Sequence, residues 1–221
     1  MKYFIRFITL AFPNYLINMN VMHKLIIVPF LLLFSLISAQ TDNYDKAVEL
    51  FREAGQSEAR YDYETAVKKY EQAADLFLAS DYTGNYLQCR ILQSINLTAL
   101  NQFDKAAEIL SKTEKTAKKH FGEENRYLVL TYYAAGRAEF GRGQTHKALE
   151  YYRKSGELVG KFPVNDPFFT AKLYAVLGNV YADMGNYTKA RSYFLKDLNT
   201  CLEIAGKQAP QLAAAYTNLS I

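Results

Sequence analysis

The side chains most often used for catalysis or metal binding are few in this 221-residue chain and lie far apart. The histidines and cysteines are His23, Cys89, His120, His146 and Cys201. None of the histidines has a cysteine or a carboxylate at metal-ligand spacing, and the sequence contains neither a phosphate-binding loop nor a nucleophile elbow. We therefore predict no enzyme, no cofactor and no metal site. The two cysteines are expected to be buried free thiols.

Charge is nearly balanced over most of the chain, which argues against a nucleic-acid-binding protein. The formal net charge is +4. Residues 1–39 contain Lys2, Arg6 and Lys24 and no acidic residue, so the remainder holds 23 basic and 22 acidic residues. A polyanion-binding surface needs a clustered basic excess. The lysines at 112–119 are offset by glutamates, and we expect them to form a solvated face.

The residues from Met22 to Ala39 have the organisation of a secretory signal peptide. A short positive segment with Lys24 precedes an apolar run at 25–37, and small residues follow it. The run is shorter than the ~20 apolar residues that cross a bilayer as a helix. We expect cleavage after Ala39 and export to the periplasm or cell envelope.

A complete signal peptide can begin at Met22, and residues 1–21 precede it. We interpret them as a mis-annotated upstream extension. The alternative is a long uncleaved membrane anchor that spans part of residues 3–37. The protein would then be attached to a membrane, and only in that case do we expect a membrane contact.

A repeat of about 42 residues organises the chain after Gln40. Four alanines recur at intervals of 40, 42 and 42 residues: Ala66, Ala106, Ala148 and Ala190. Twelve positions before each lies a small residue: Ala54, Ser94, Gly136 and Gly178. Four positions after each lies a bulky one: Tyr70, Leu110, Tyr152 and Phe194. Within 174–194, Tyr174, Leu177, Gly178 and Tyr181 have helical spacing, as do Ala190 and Phe194.

This pattern resembles the tetratricopeptide repeat (TPR), in which a bulky residue, Leu-Gly and Tyr are followed by Ala and an aromatic residue. The resemblance implies an all-α fold, a right-handed α-solenoid of stacked antiparallel helix hairpins, preceded by an N-terminal apolar signal helix. It covers residues 42–221, as repeats at about 47–86, 87–128, 129–170 and 171–212, with the first helix of a fifth at 213–221. The period exceeds the usual 34 residues. It resembles the TPR arrays of kinesin light chains and of bacterial proteins that join TPRs to signalling or protease domains.

Residue types within the repeat predict how each hairpin packs and turns. A small residue on the first helix, facing an alanine on the second, allows close backbone approach. The aromatic residues should fill the space beside that contact and face the next hairpin. Gly143 and Gly185 are expected to end a helix in the left-handed conformation, and Asn101 can do the same. In the first repeat Tyr61 occupies the equivalent position, and the sequence does not predict the conformation of that turn.

The extra residues of each repeat follow its second helix, at 111–125, 156–167 and 201–211. We expect two further helical turns there, and then a connector marked by Gly122, Pro163, Pro167 and Pro210.

In TPR domains, ligands lie in the concave groove that the first helices line. Transferred to this sequence, the groove positions are Gln88, Ile91, Ile95 and Thr98, then Leu130, Tyr133, Arg137 and Phe140, then Lys172, Ala175, Asn179 and Asp183. The predicted partner-binding residues are Thr98, Tyr133, Arg137, Phe140, Lys172 and Asn179. Aromatic anchors, cations for carboxylates and an amide for peptide groups suit an extended peptide or a protein partner rather than a small-molecule substrate.

The carboxylate clamp of chaperone-binding TPRs is not expected, because Phe51, Gly55 and Leu92 occupy its positions. The sequence thus predicts an exported, non-enzymatic TPR scaffold that mediates protein–protein or peptide binding. The alternative is a truncated N-terminal sensory or regulatory region of a larger protein, carrying a CHAT-type peptidase or a sensor histidine kinase. It rests on the chain ending within the first helix of a fifth repeat.

Overall fold

The computed structural model describes residues 28–205 and 211–219, without several side chains in 31–39 and those of residues 205 and 211. Its regular secondary structure in these ranges is α-helical. The helices are α1 (Val28–Ala59), α2 (Tyr63–Ala79), α3 (Thr83–Ala99), α4 (Phe103–Phe121), α5 (Arg126–Gly141), α6 (Thr145–Val159), α7 (Phe169–Asp183), α8 (Tyr187–Ala205) and α9 (Gln211–Leu219).

The chain divides into two compact units, Met1–Asn43 and Tyr44–Ile221. The predicted upstream extension, 1–21, lies outside the described residues. Of the predicted signal peptide, 22–39, the structure describes the part from Val28 onward, as the beginning of α1. None of the described helices is both long enough and apolar enough to span a membrane.

The second unit consists of consecutive helix hairpins, which confirms the predicted TPR-like α-solenoid. Hairpin 1 pairs the part of α1 after Tyr44 with α2. Hairpins 2, 3 and 4 are α3–α4, α5–α6 and α7–α8, and α9 packs against α8. In hairpin 1 the rings of Phe51 and Tyr70 lie 5.5 Å apart, and Lys69 Nζ lies 2.8 Å from Glu53 Oε2.

All four hairpin turns share one backbone geometry. The turn residue has a positive φ in each: Tyr61 (63°), Asn101 (58°), Gly143 (75°) and Gly185 (72°). In hairpin 1 the N–H of Asp62 donates to the carbonyl of Ser57 at 2.9 Å, and the other three turns have the equivalent Schellman bond at 2.8 Å. The three predicted left-handed residues are confirmed. Tyr61 adopts the same conformation despite the steric cost that a β-carbon brings.

The small residues allow close packing, but the aromatic residues cover them more directly than expected. The repeat alanines are buried, with Ala66, Ala106 and Ala148 at 0% exposure and Ala190 at 3%. A β-carbon added at Gly136 would lie 2.6 Å from the ring of Tyr152. The ring therefore lies over the glycine of its own hairpin, because the missing side chain leaves room for it. Tyr152 also packs against Leu173 and Leu177 of hairpin 4, as predicted.

The prediction for the residues after the second helices is confirmed for the second hairpin. Helix α4 continues to Phe121 and ends at Gly122, whose φ is 87°, and α8 continues to Ala205. In hairpin 3 the prediction of two further turns is wrong, because α6 already ends at Val159. Pro163 and Pro167 lack the N–H that helix continuation needs. Pro210 lies outside the described residues.

Candidate functional site

Helix α5 is almost entirely buried except for one stripe. Four partly exposed side chains follow each other at intervals of three and four residues: Leu130, Tyr133, Arg137 and Phe140. At 3.6 residues per turn these intervals place them on one side of the helix. They are the four groove positions that the sequence predicts for this repeat, so the structure brings them together on the one accessible side of α5.

The neighbouring first helices continue this stripe, with one correction. On α7, Lys172, Asn179 and Asp183 are exposed and Ala175 is partly exposed, as the prediction requires. On α3, Gln88 is exposed and Ile95 and Thr98 are partly exposed.

The prediction of Ile91 as a groove residue is wrong. Ile91 is 2% exposed and packs in the cluster that contains Ala134 and Ala138 of α5. Leu92, one position later, is partly exposed and takes its place. An Ile-Leu pair gave no sequence signal for which of the two faces the core. We call the set Gln88, Leu92, Ile95, Thr98, Leu130, Tyr133, Arg137, Phe140, Lys172, Ala175, Asn179 and Asp183 the first-helix stripe.

Tyr133 belongs partly to the core. Its ring meets Phe169 of α7 edge-on at 5.1 Å between centroids and lies 6.0 Å from the ring of Tyr152. Burial raises the pKa of Tyr133, and the nearby cations of Arg137 and Lys172 oppose that rise. The phenol therefore lies near both cations, and its ring packs against hairpin 4.

Arg137 has no carboxylate partner in the described part of the chain, although it is partly buried. The neighbouring cation, Lys172, donates to Asp166 at 2.8 Å. A guanidinium offers a rigid set of donors that matches a carboxylate. Arg137 can therefore accept an anionic group from outside the chain without breaking an ion pair.

The other predicted site residues differ in what they can offer. Asn179 is exposed, so its amide is available to a peptide group. The hydroxyl of Thr98 donates to the carbonyl of Ser94 at 2.9 Å, so its proton is used within α3. Phe140 packs against the cluster around Tyr152 and Val180 with part of its ring exposed.

The groups that catalysis or metal binding would use are not brought together in the described residues. No group of three or more metal-ligating side chains occurs in 28–205 and 211–219. Both cysteines are buried free thiols, as predicted. Burial raises the pKa of Cys89 to about 12, which disfavours the reactive thiolate. His120 and His146 are exposed.

Comparison with known proteins identifies the repeat and the fold. Residues 170–210, which include all of α7 except Phe169 and the whole of α8, match the family model of the tetratricopeptide repeat. No curated protein sequence matches the chain significantly.

Several solved structures share the fold at low identity. BtubC (BKLC) from P. vanneervenii is 14% identical, with a TM-score of 0.61 over 74% of this chain and 66% of that one. A putative kinesin light chain with TPR-like repeats from Podosopora anserina is 15% identical, with a TM-score of 0.60 over 78% and 82%. A Rap protein complexed with competence and sporulation factor is 18% identical, with a TM-score of 0.63 over 80% and 53%.

The chain thus spans slightly less than two thirds of BtubC and about half of the Rap protein. At these identities the likeness concerns the fold, which is the solenoid of stacked hairpins described above. Residues 170–210 thus match the tetratricopeptide repeat, and the described solenoid shares the fold of solved TPR-like structures.

Proposed function

We propose that the chain is an exported, non-enzymatic scaffold that binds an extended peptide segment of a partner protein along the first-helix stripe. The segment contributes apolar side chains and one carboxylate. Its apolar side chains pack against Tyr133 and Phe140, and its carboxylate pairs with Arg137. Asn179 hydrogen-bonds the peptide backbone.

The observation that carries this proposal is the state of Arg137. The residue is partly buried, lies near the Tyr133 phenol, and has no ion pair within the described residues. Burying a cation without a partner is unfavourable. An unpaired arginine on the accessible side of the helix is therefore best explained by a ligand whose anionic group pairs with it.

The surroundings of Arg137 favour a peptide over a free anion. Phe140 and Leu130 present partly exposed apolar surface on either side of it. An extended chain gains affinity from such alternating apolar and charged contacts. The Rap protein complexed with competence and sporulation factor shares this fold over 53% of its length, and its complex agrees with ligand binding by a protein that contains such a solenoid.

Site-specific photo-crosslinking tests where the partner binds. A benzophenone amino acid replaces Asn179 on the stripe or, as control, the exposed Lys115 on α4, and each protein is irradiated with an envelope extract of the source cells. We expect Asn179 to crosslink to one defined segment, identified by mass spectrometry, and Lys115 to give none. Equal crosslinking from both positions would contradict the proposal.

Export is proposed on the N-terminal sequence, where Lys24 precedes the apolar run at 25–37. Phe30 and Leu33 in this segment are 66% and 56% exposed. Sequencing the N-terminus of the mature protein from envelope fractions should give Gln40. An N-terminus at Met1 or Met22 in the same fraction would support the uncleaved anchor instead.

A further inference from the structure

The connector between hairpins 3 and 4, residues 160–168, is longer than the other described connectors between hairpins. Those at 80–82 and 122–125 have three and four residues, and this one has nine. Helix α4 continues to Phe121, which corresponds to Pro163 one repeat later, whereas α6 already ends at Val159. Pro163 lacks the N–H group that further helical turns need. We call residues 160–168 the strap.

The strap lies on the protein as an extended chain from 161 to 166. Phe162, Val164 and Asp166 are partly buried, and the residue before each of them is exposed. An extended chain on a surface produces this alternation, because successive side chains point in opposite directions. The prolines that follow Phe162 and Asp166 favour the same conformation. The strap therefore turns these three side chains towards the body of the protein.

The two apolar side chains of the strap pack beside the first-helix stripe. Phe162 and Val164 lie against the core cluster that contains Phe169 of α7. Leu130 and Tyr133, which are stripe residues, pack against the same cluster. The strap therefore covers apolar surface at the end of the stripe where α5 and α7 begin.

The carboxylate of the strap is paired with one of the two cations of the stripe. Asp166 Oδ2 lies 2.8 Å from Lys172 Nζ. Asp166 also lies close enough to Tyr133 to contribute to the rise in the pKa of that phenol. Its other oxygen, Oδ1, accepts the N–H of Phe168 at 3.0 Å, which holds the carboxylate in place. Arg137, the second cation of the stripe, has no such partner in the described residues.

The strap thus has the chemistry that we propose for the ligand of the stripe. It is an extended segment whose inward side chains are two apolar groups and one carboxylate. From Phe162 to Asp166 they occupy alternate positions, so the pattern is apolar, apolar and acidic at every second residue. A segment of a partner protein with this pattern presents the same groups to the same surface. The two segments would therefore compete.

Few contacts hold the strap in place. At one end Lys161 Nζ lies 2.7 Å from Glu124 Oε2, and at the other end is the pair of Asp166 with Lys172. The side chains of both ion pairs are at least partly exposed, and such pairs contribute little to stability. Between them, the N–H of Val164 donates to no residue that the structure describes. Opening the strap therefore costs less free energy than unfolding a helix.

We propose that the strap is an autoinhibitory segment that occupies one end of the first-helix stripe, and that an acidic extended segment of the partner displaces it. This proposal rests on the peptide binding proposed for the stripe. In the free protein Asp166 holds Lys172 and leaves Arg137 open. Displacement of the strap frees Lys172, so the partner's segment pairs one carboxylate with each cation. The strap therefore favours partner segments that carry two acidic residues.

A peptide that copies the strap tests this competition without the partner. A fluorescein-labelled copy of residues 160–168 is titrated into the protein by fluorescence anisotropy at low ionic strength, where charge pairing is least screened. An open-strap variant carries Phe162→Ser, Val164→Ser and Asp166→Asn. We expect it to bind the peptide at least about tenfold more tightly than the wild type, in which the tethered strap competes at a high effective concentration. Equal binding by the two proteins, or binding by neither, would overturn the proposal.

Further substitutions locate the contact. Asp166→Asn alone should strengthen binding, whereas Glu150→Gln, the equivalent charge change on an exposed residue of α6, should leave the affinity at the wild-type value. Equal effects of the two would overturn the role of Asp166. Because Asp166→Asn keeps an acceptor oxygen for the N–H of Phe168, it also decides the question if circular dichroism shows that the triple variant loses helix.

The pairing of the peptide's carboxylate with Lys172 is tested by a second peptide, in which asparagine replaces the aspartate. This peptide should bind the open-strap variant about fivefold more weakly, which is as much as one exposed ion pair contributes. Adding Lys172→Gln to the open-strap variant should abolish the difference between the peptides. A difference that persists without Lys172 would overturn the assignment of the carboxylate to this cation.

Displacement by the partner is measured by fluorine NMR, with 4-fluorophenylalanine in place of Phe162. On addition of the segment crosslinked from Asn179, we expect the resonance to move to its position in the labelled Val164→Ser, Asp166→Asn protein. A segment that binds and leaves the resonance unchanged would overturn the displacement but not the proposed function. Absence of any binding segment would instead contradict the proposed function, and the strap peptide then decides by itself whether the strap acts as a ligand of the stripe.

Discussion

The ring of Tyr152 lies against Gly136 so closely that a β-carbon on that residue would be 2.6 Å from it. The two residues belong to the two helices of hairpin 3, and Tyr152 is 1% exposed. Because Tyr152 also packs against Leu173 and Leu177, this contact fixes both the spacing within hairpin 3 and its packing on hairpin 4. The position of Arg137, next to Gly136, depends on it.

We predict that Gly136→Ser lowers the free energy of unfolding by about 1–3 kcal/mol, because the added atoms overpack the Tyr152 ring. Chemical denaturation measures it. Gly160→Ala is the control, since nothing lies within 4 Å of a β-carbon there and φ is −67°. Adding Tyr152→Leu to Gly136→Ser reproduces the Ser94 and Leu110 pair of hairpin 2 and should recover part of the loss. A double variant less stable than both single variants would contradict this packing.

The left-handed turn of hairpin 1 gives a second prediction. Tyr61 has a φ of 63° and is 79% exposed, so its side chain contributes little packing to offset the conformational cost. Tyr61→Gly should stabilise the protein by about 1 kcal/mol. Gly185→Ala should destabilise it by a similar amount, since an added β-carbon meets no atom within 4 Å and the cost is conformational. A higher melting temperature for Tyr61→Gly and a lower one for Gly185→Ala would support the shared turn geometry. Shifts of the same sign would refute it.

The buried carboxyl group of Asp197 should make the free energy of unfolding depend on pH. It is 5% exposed on α8, and burial raises its pKa above the usual 3.8, against hydrogen bonds from Cys201 and Asn218. The native state therefore holds the proton more tightly than the unfolded state, and stability falls as the pH rises from about 4 through the native pKa. Asp197→Asn keeps an acceptor oxygen and removes the charge.

We expect Asp197→Asn to melt at a higher temperature than the wild type at pH 7. The difference should shrink as the pH falls below about 4, where the unfolded aspartate is also protonated. Glu203→Gln, on an exposed residue of the same helix, is the control. A melting temperature for Asp197→Asn equal to or below that of the wild type at pH 7 would show that the charge does not destabilise the fold.

The repeat lattice made the hairpins predictable, because a small residue is required wherever two helices approach closely. The same spacing placed Tyr133, Arg137 and Phe140 on one accessible stripe. The spacing assigned Ile91 to the wrong side of α3. Because Ile91 and Leu92 are both apolar, the sequence does not show which of the two faces the core. The end of α6 at Val159 depends on where the connector with Pro163 and Pro167 begins, and periodicity alone does not show that point.

Charge pairing was not predictable in the same way. The sequence gives the identities of Arg137, Lys172 and Asp166, but the Lys172–Asp166 contact at 2.8 Å depends on how the 160–168 connector is arranged. That pairing leaves Arg137 without a carboxylate.

The most direct test of peptide binding by the first-helix stripe is a double-mutant cycle measured by isothermal titration calorimetry. A synthetic peptide of the segment crosslinked from Asn179 is titrated into wild type and Arg137→Glu, with its carboxylate free or converted to an amide. We predict that each single change weakens binding about tenfold and that the two together cost little more, because both remove the same contact. Fully additive losses, or an unchanged affinity in Arg137→Glu, would contradict the pairing of the ligand with Arg137.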